Sequence, residues 1–215
     1  MLGSLALSMA VLPAAADDSR WAASFAAFAQ ADQASQPAPG GVLFVGSSSI
    51  RLWSNLAEDF RGVPVVINRG FGGSTMADCD RFARQLVVRY KPRQVLVYAG
   101  DNDLSQGRSP ADVLKSFQAF VKTVRSELPD ARIDYISIKP SPARVALLPQ
   151  IKEANALLAA YTATLPDVGY IDVYSAMTDR RGQPRGELYG PDRLHMNRAG
   201  YELWRDLIQR RVALP

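Results

Sequence analysis

Residues 41–50, GVLFVGSSSI, contain a continuous apolar run that has glycine on both sides and is followed by three serines. A short apolar run of this kind predicts a strand that is buried on both faces, as in a parallel sheet. The serines would then lie at the carboxyl edge of the sheet, where parallel α/β proteins bind their ligands. This stretch therefore predicts both the class of fold and the place where function should be sought.

The same strand pattern recurs four more times along the chain. Further strand candidates are residues 63–67, 95–98, 133–138 and 168–173. Apolar residues at helical spacing lie between the strand candidates, in 21–34, 75–90, a segment that begins at Ser109, 147–162 and 201–212. Strands that alternate with helices predict a parallel sheet covered by helices on both faces, which is an α/β fold built as a three-layer α/β/α sandwich.

The composition is that of an ordinary globular protein and excludes several classes of function. The chain has 215 residues, of which 47% are hydrophobic and 21% are charged, so one domain is expected. A single cysteine and a single histidine argue against a disulfide and against the usual metal sites, and we predict neither a metal nor a cofactor. The net charge of +4 comes from scattered basic residues, which predicts no binding of nucleic acid.

The first sixteen residues, MLGSLALSMAVLPAAA, carry no charged side chain. Ala14 and Ala16 form the small-x-small pattern of a signal cleavage site, although the usual positively charged start is missing. We therefore predict a truncated signal peptide at 1–16, a single domain at 17–215, and export to the periplasm or beyond the cell. An apolar N-terminal helix is the alternative. The segment is too short to cross a bilayer comfortably, so we predict no stable insertion into a membrane.

Polar segments that follow the predicted strands, or lie close to that edge, carry the groups that ester cleavage needs. A serine nucleophile requires a base that is active near neutral pH, and His195 is the only histidine in the chain. Asp192 precedes it by three residues and can orient the imidazole ring. Backbone N–H groups of a glycine-rich loop and the amide of Asn102 can stabilise negative charge on the substrate oxygen. The four segments are 46–50, 68–75, 100–103 and 192–195.

These segments resemble the four motif blocks of the SGNH, or GDSL-type, serine hydrolases of the esterase and lipase class. The resemblance extends from about Val42 to Tyr201 and implies a five-stranded flavodoxin-like sheet. It also implies a catalytic triad and an oxyanion hole. The implied triad is Ser48, Asp192 and His195, and the implied oxyanion donors are Ser48, Gly73 and Asn102.

One position departs from the motif, because Ser47 stands where the family has an aspartate. Three consecutive serines therefore leave the nucleophile open. Ser48 occupies the third place of the block, where the family's serine falls, and Ser47 is the alternative. Arg69 and Trp53 are candidate residues of the substrate pocket, whereas Arg51 is interpreted as surface charge.

The sequence thus predicts hydrolysis of carboxylic esters through an acyl-enzyme, with short acyl or O-acetyl groups preferred. The absence of a long insertion that could form a lid favours small esters, on a small molecule or a saccharide. Two alternatives belong to other classes of function. One is a flavodoxin-like module that binds phosphate or FMN at the serine-rich turn. The other is an inactive relative that binds acylated glycans. The sequence leaves the oligomeric state open.

Overall fold

A five-stranded parallel sheet forms the centre of the computed structural model, which describes residues 18–212. The spatial order of the strands is β2-β1-β3-β4-β5, and every neighbouring pair is parallel. This arrangement confirms the predicted α/β fold with its flavodoxin-like sheet. The strands are Val42–Gly46 (β1), Val66–Gly70 (β2), Gln94–Tyr98 (β3), Arg132–Ile136 (β4) and Val168–Ile171 (β5).

Helices in the described part of the chain cover both faces of the sheet. The α-helices are Ala22–Ala34 (α1), Ser48–Arg51 (α2), Leu56–Asp59 (α3), Met76–Arg81 (α4), Ala83–Leu86 (α5), Asp101–Ser105 (α6), Pro110–Glu127 (α7), Leu148–Thr162 (α8) and Arg198–Gln209 (α9). Short 3-10 helices occupy Asp18–Trp21, Val88–Tyr90, Pro142–Leu147, Ser175–Met177 and Gly186–Leu188. None of the helices in residues 18–212 has both the length and the apolar character of a membrane span.

The sheet divides the hydrophobic core into two clusters, one on each face, and β1 contributes to both. Alternate side chains of a strand point to opposite faces. Leu43 and Val45 join the cluster that contains Phe117 of α7, whereas Phe44 joins the cluster that contains Trp204 of α9. All five residues of β1 are buried, which explains why its sequence is continuously apolar instead of alternating.

The second strand begins three residues later than predicted and includes polar residues. Val66 is aligned with Val42, and Gly70 is aligned with Gly46 at the other end of the pair. Pro64 has no N–H to give to a strand ladder, so pairing starts beyond it. Asn68 and Arg69, which the sequence places in a loop, therefore lie inside β2.

Two predicted helices also have different boundaries. The segment 75–90 is interrupted, since Phe82 and Val87 leave helical backbone angles. β-branched side chains such as Val87 fit a helix less well, and this one lies at the second interruption. The last helix begins three residues earlier than predicted, where the Asn197 side chain accepts the Gly200 N–H at 3.2 Å as its N-cap. The signal peptide predicted at 1–16 lies outside the described residues.

Candidate active site

Ser48 is the first residue of α2 and follows the tight turn at the end of β1. Gly46 has φ +140°, and a Cβ at this position would collide with the carbonyl oxygen of Tyr98 in β3. Glycine is therefore required here. The Ser47 N–H donates to the same Tyr98 carbonyl at 3.0 Å. The turn is thus fixed against β3, and Ser48 is held at the carboxyl edge of the sheet.

Only one of the three consecutive serines contacts His195. The Oγ atom of Ser48 lies 2.9 Å from His195 Nε2. Ser47 and Ser49 are each 1% exposed, and the buried Oγ of Ser47 has no hydrogen-bond partner among residues 18–212. The geometry therefore favours Ser48 over Ser47 as the nucleophile.

The loop that carries His195 is built around the Asp192 side chain. Oδ1 of Asp192 accepts the backbone N–H groups of Leu194 and His195, at 3.0 and 2.9 Å. Oδ2 lies 2.6 Å from His195 Nδ1. The intervening Arg193 has a left-handed backbone with φ +56°, which closes the turn. One carboxylate thus shapes the loop and orients the imidazole ring, whose other nitrogen faces Ser48.

The same contacts act on the ionisation of Asp192. The backbone N–H of Leu194, the imidazole of His195 and the backbone N–H of His195 hold the pKa of the Asp192 carboxyl well below its usual range. Each of these donors stabilises the charged form. Asp192 therefore remains a carboxylate throughout mildly acidic conditions, although its side chain is half exposed.

Gly73 and Asn102 lie in the same open cavity as Ser48 and His195. The cavity has a volume of about 480 Å³. Gly73 has φ +75°, a left-handed conformation that favours glycine. The Asn102 amide donates from Nδ2 to the carbonyl of Ser74 at 3.0 Å. The structure thus brings together all the residues implied for the triad and the oxyanion hole.

Comparison with known proteins identifies the family. The sequence model of the GDSL-like Lipase/Acylhydrolase family matches residues 38–203. The chain belongs to this family. No curated protein matches the chain. Membership of the GDSL-like lipase/acylhydrolase family supports ester hydrolysis as the general activity.

Solved structures show the same fold as this GDSL-like protein at low sequence identity. A candidate platelet activating factor from Streptococcus pneumoniae has a TM-score of 0.77 at 21% identity, over 88% of this chain and 91% of that one. A GDSL-like lipase from Bacteroides thetaiotaomicron has a TM-score of 0.72 at 20% identity, and the match covers 88% of this chain and 97% of that one. An acetyl-xylooligosaccharide esterase variant from Geobacillus has a TM-score of 0.66 at 14% identity, and the match covers 80% of this chain and 94% of that one.

Asp103 fastens the glycine-rich loop of this GDSL-like protein to α6. Both of its carboxylate oxygens lie within hydrogen-bond distance of the Met76 backbone N–H, at 3.1 and 3.0 Å. The Asp103 side chain is completely buried. Burial raises the pKa of Asp103 to about 6, although the N–H of Met76 opposes the shift. Ionising the Asp103 carboxyl group therefore costs free energy, and this group lies directly behind the loop that carries Gly73.

Replacing Asp103 by asparagine should change how the stability of this GDSL-like protein depends on pH. Between the usual value of 3.8 and about 6 the folded wild type binds more protons than the unfolded chain, so its stability falls as pH rises. Asparagine keeps an acceptor for Met76 but does not titrate. The stability of Asp103→Asn relative to wild type should therefore rise from pH 4 to 7, by at most about 3 kcal/mol. Urea denaturation across this range measures the change, and a constant difference would contradict it.

The structure does not place Arg69 and Trp53, the two predicted pocket residues, in the wall of this cavity. Arg69 is buried in an ion pair with Asp32 of α1, and its guanidinium lies 4.4 Å from the ring centroid of Tyr90. The Tyr90 hydroxyl also donates to Asp32 at 2.6 Å. Trp53 is 2% exposed and donates from its indole to Asp59 at 2.7 Å. Both side chains hold helices in place instead of facing substrate.

The rest of the cavity wall is formed by residues that were not among the predicted site residues. Arg51, interpreted as surface charge, lines the cavity together with Arg20, Trp21, Ser24, Gly72 and Leu194. Three of these residues come from the 3-10 helix at Asp18–Trp21 and from α1, so no motif block pointed to them. No cluster of three or more His, Cys, Asp or Glu side chains within residues 18–212 could hold a metal ion.

Proposed function

We propose that the protein is a serine hydrolase that cleaves carboxylic esters through an acyl-enzyme intermediate, with short acyl or O-acetyl groups preferred. The observation that carries the proposal is the chain of contacts from Ser48 Oγ to His195 Nε2, at 2.9 Å, and from His195 Nδ1 to Asp192, at 2.6 Å. A nucleophile, a base and a group that orients the base are the minimum set for acyl transfer. The substrate class is an ester of a small molecule or a saccharide.

In the first half of the reaction Ser48 attacks the ester carbonyl carbon. His195 Nε2 accepts the serine proton as the bond from Oγ to carbon forms. The carbonyl oxygen becomes an oxyanion, which the N–H groups of Ser48, Gly73 and Asn102 stabilise. The tetrahedral intermediate then collapses, and His195 gives its proton to the leaving alcohol. The products are the free alcohol and an ester of Ser48 with the acyl group.

In the second half water replaces the alcohol. His195 takes a proton from water, the resulting hydroxide attacks the acyl carbon, and the oxyanion forms again at the same donors. Collapse of this intermediate returns the proton to Ser48 Oγ and releases the carboxylic acid. Asp192 stays ionised during both halves, since its pKa is held well below the usual range, and it stabilises the imidazolium that forms each time.

The preference for short acyl groups is supported by the polar wall of the cavity. Of the residues that line the cavity, only Trp21 and Leu194 are large apolar side chains. Arg20, Arg51 and Asn102 present charged or amide groups. A long alkyl chain gains about 0.8 kcal/mol for each methylene that it buries against apolar surface, and this wall offers little such surface. A polar alcohol, such as a sugar, suits the same wall.

A series of p-nitrophenyl esters tests this proposal. We expect kcat/KM to be highest for acetate or butyrate and to be lower for palmitate by about 100-fold or more, because the long chain finds few apolar contacts. The Ser48→Ala variant serves as the blank for hydrolysis that does not use the site. Comparable rates on acetate and palmitate would refute the acyl preference. A protein without hydrolysis of any ester would favour the two binding alternatives, and a flavin absorbance would separate the FMN module from the glycan binder.

A further inference from the structure

The peptide group between Gly72 and Gly73 accepts a hydrogen bond from a residue outside the four motif blocks. The indole N–H of Trp21 donates to the carbonyl oxygen of Gly72 at 2.9 Å. This carbonyl belongs to the same peptide unit as the N–H of Gly73. The Gly73 N–H makes no backbone hydrogen bond to another residue in the described range 18–212. One end of the peptide is therefore fixed, while its other end remains available in the cavity.

The side-chain amide of Asn102 is held in a corresponding way. Nη2 of Arg144 donates to Asn102 Oδ1 at 2.9 Å, and Asn102 Nδ2 donates to the Ser74 carbonyl at 3.0 Å. A guanidinium only donates and a carbonyl only accepts, so these two partners determine which atom of the amide is oxygen and which is nitrogen. The second hydrogen of Nδ2 remains for a ligand in the cavity.

Both holding residues are themselves firmly placed. Trp21 is 4% exposed and packs edge-to-face against Phe71 and Phe82. Nη1 of Arg144 lies 2.9 Å from the buried carboxylate of Asp101. Lys139, which is 1% exposed, contacts the same carboxylate at 3.3 Å. Neither the indole nor the guanidinium can turn away without leaving these contacts.

We infer that Trp21 and Arg144 are positioning residues of the oxyanion hole, each bonded to the oxygen of an amide whose N–H faces the substrate. A hydrogen bond at the oxygen of an amide fixes the plane of the amide and polarises its N–H, so that the N–H donates more strongly. Donors that are oriented before the reaction need no rearrangement when the oxyanion forms. This inference rests on the proposed esterase function and assigns a role to a residue outside the segment that matches the family.

Single variants test the two residues separately on p-nitrophenyl acetate. Trp21→Phe keeps an aromatic ring against Phe71 but removes the N–H. Arg144→Met removes the donor to Asn102 and the positive charge beside Asp101. We expect each to lower kcat about tenfold, less than the roughly 10²–10³-fold loss expected for Asn102→Ala, with KM within about twofold of wild type. Arg144→Lys keeps a positive charge beside Asp101 and should lose less kcat than Arg144→Met. If Arg144→Met does not fold, the kcat of Arg144→Lys relative to wild type serves as the test.

Matched controls come from similar contacts elsewhere in the fold. Trp204→Phe removes an indole N–H that donates to Met177 in the other core cluster. Arg132→Met, at the amino-terminal end of β4, removes a cation from the buried carboxylate of Asp134. Both variants should lose stability and keep the wild-type kcat. A loss of kcat in the test variants is then not a general effect of a weakened core.

A double-mutant cycle with Asn102→Ala separates the two routes. Arg144→Met should cost less than about twofold in kcat when Asn102 is already alanine, whereas Trp21→Phe should keep its full effect because it acts through Gly73. Unchanged kcat in both single variants, or a loss confined to KM, overturns the inference. An undiminished effect of Arg144→Met in the Asn102→Ala background overturns the role of Arg144. Wild-type protein that hydrolyses no p-nitrophenyl ester would instead refute the proposed function and the inference with it.

Discussion

Ser48→Ala is expected to lower kcat for p-nitrophenyl acetate by about 10⁶-fold, because no acyl-enzyme can form without the hydroxyl that faces His195. The Oγ atom lies 2.9 Å from the imidazole, and no other serine of the run reaches that ring. The backbone of α2 should be unaffected, since alanine suits the first turn of a helix. Labelling of the wild type with a fluorophosphonate, followed by mass analysis of the labelled peptide, measures the same property independently of substrate.

Ser47→Ala is the matched control for this variant. Its Oγ is buried without a partner among the described residues, so removing it should leave stability unchanged or slightly higher. We expect Ser47→Ala to keep its fluorophosphonate labelling and to stay within about threefold of wild type in kcat, an effect below 1 kcal/mol on the barrier. Labelling that survives in Ser48→Ala and disappears in Ser47→Ala would move the nucleophile by one residue.

Asp192→Asn is expected to lower kcat by about 10⁴-fold while the fold is retained. Asparagine has one oxygen where aspartate has two. That oxygen is needed by the backbone N–H groups of Leu194 and His195, which Asp192 Oδ1 now accepts. The amide nitrogen then faces His195 Nδ1 and donates to it. The proton of the neutral imidazole is forced onto Nε2, which can no longer accept the proton of Ser48.

Asp179→Asn provides a control in another turn that is held by an aspartate side chain. Oδ1 of Asp179 also accepts two backbone N–H groups, those of Arg181 and Gln183, but no histidine faces its second oxygen. This variant should keep the wild-type kcat between pH 6 and 9. An Asp192→Asn protein within tenfold of wild type would show that the histidine does not depend on this carboxylate for its tautomer.

The parts of the fold that the sequence predicted are those in which local pattern and burial agree. β1 is apolar at four successive positions because both of its faces are covered, and a run of this kind is visible without any structure. The predicted range of the second strand ends too early, at residue 67, because Asn68 and Arg69 look like loop residues. Their partners are the Ile50 carbonyl and Asp32, which are 18 and 37 residues away in the sequence. A local pattern contains no trace of such pairings.

The candidate site likewise contains residues that the sequence could predict and residues that it could not. Ser48 and His195 could be selected because their chemistry is restricted to few residues, and the chain has only one histidine. Their roles stay predictions until the variants are measured. The wall of the cavity could not be predicted, since Arg20 and Trp21 reach it from a segment before the sheet. Their positions depend on how α1 packs, which no motif spacing encodes.

The buried ion pair between Asp32 and Arg69 makes the folding unit longer than the segment by which the family is recognised. The family match begins at residue 38, so an excised domain that starts there would lose α1 and leave the Arg69 guanidinium without its carboxylate partner Asp32. Removing the Asp32 carboxylate alone, with α1 in place, would typically cost about 3–5 kcal/mol, against a total stability of about 5–15 kcal/mol for a domain. Shuffled or trimmed versions of this protein must therefore carry α1 along as an integral part.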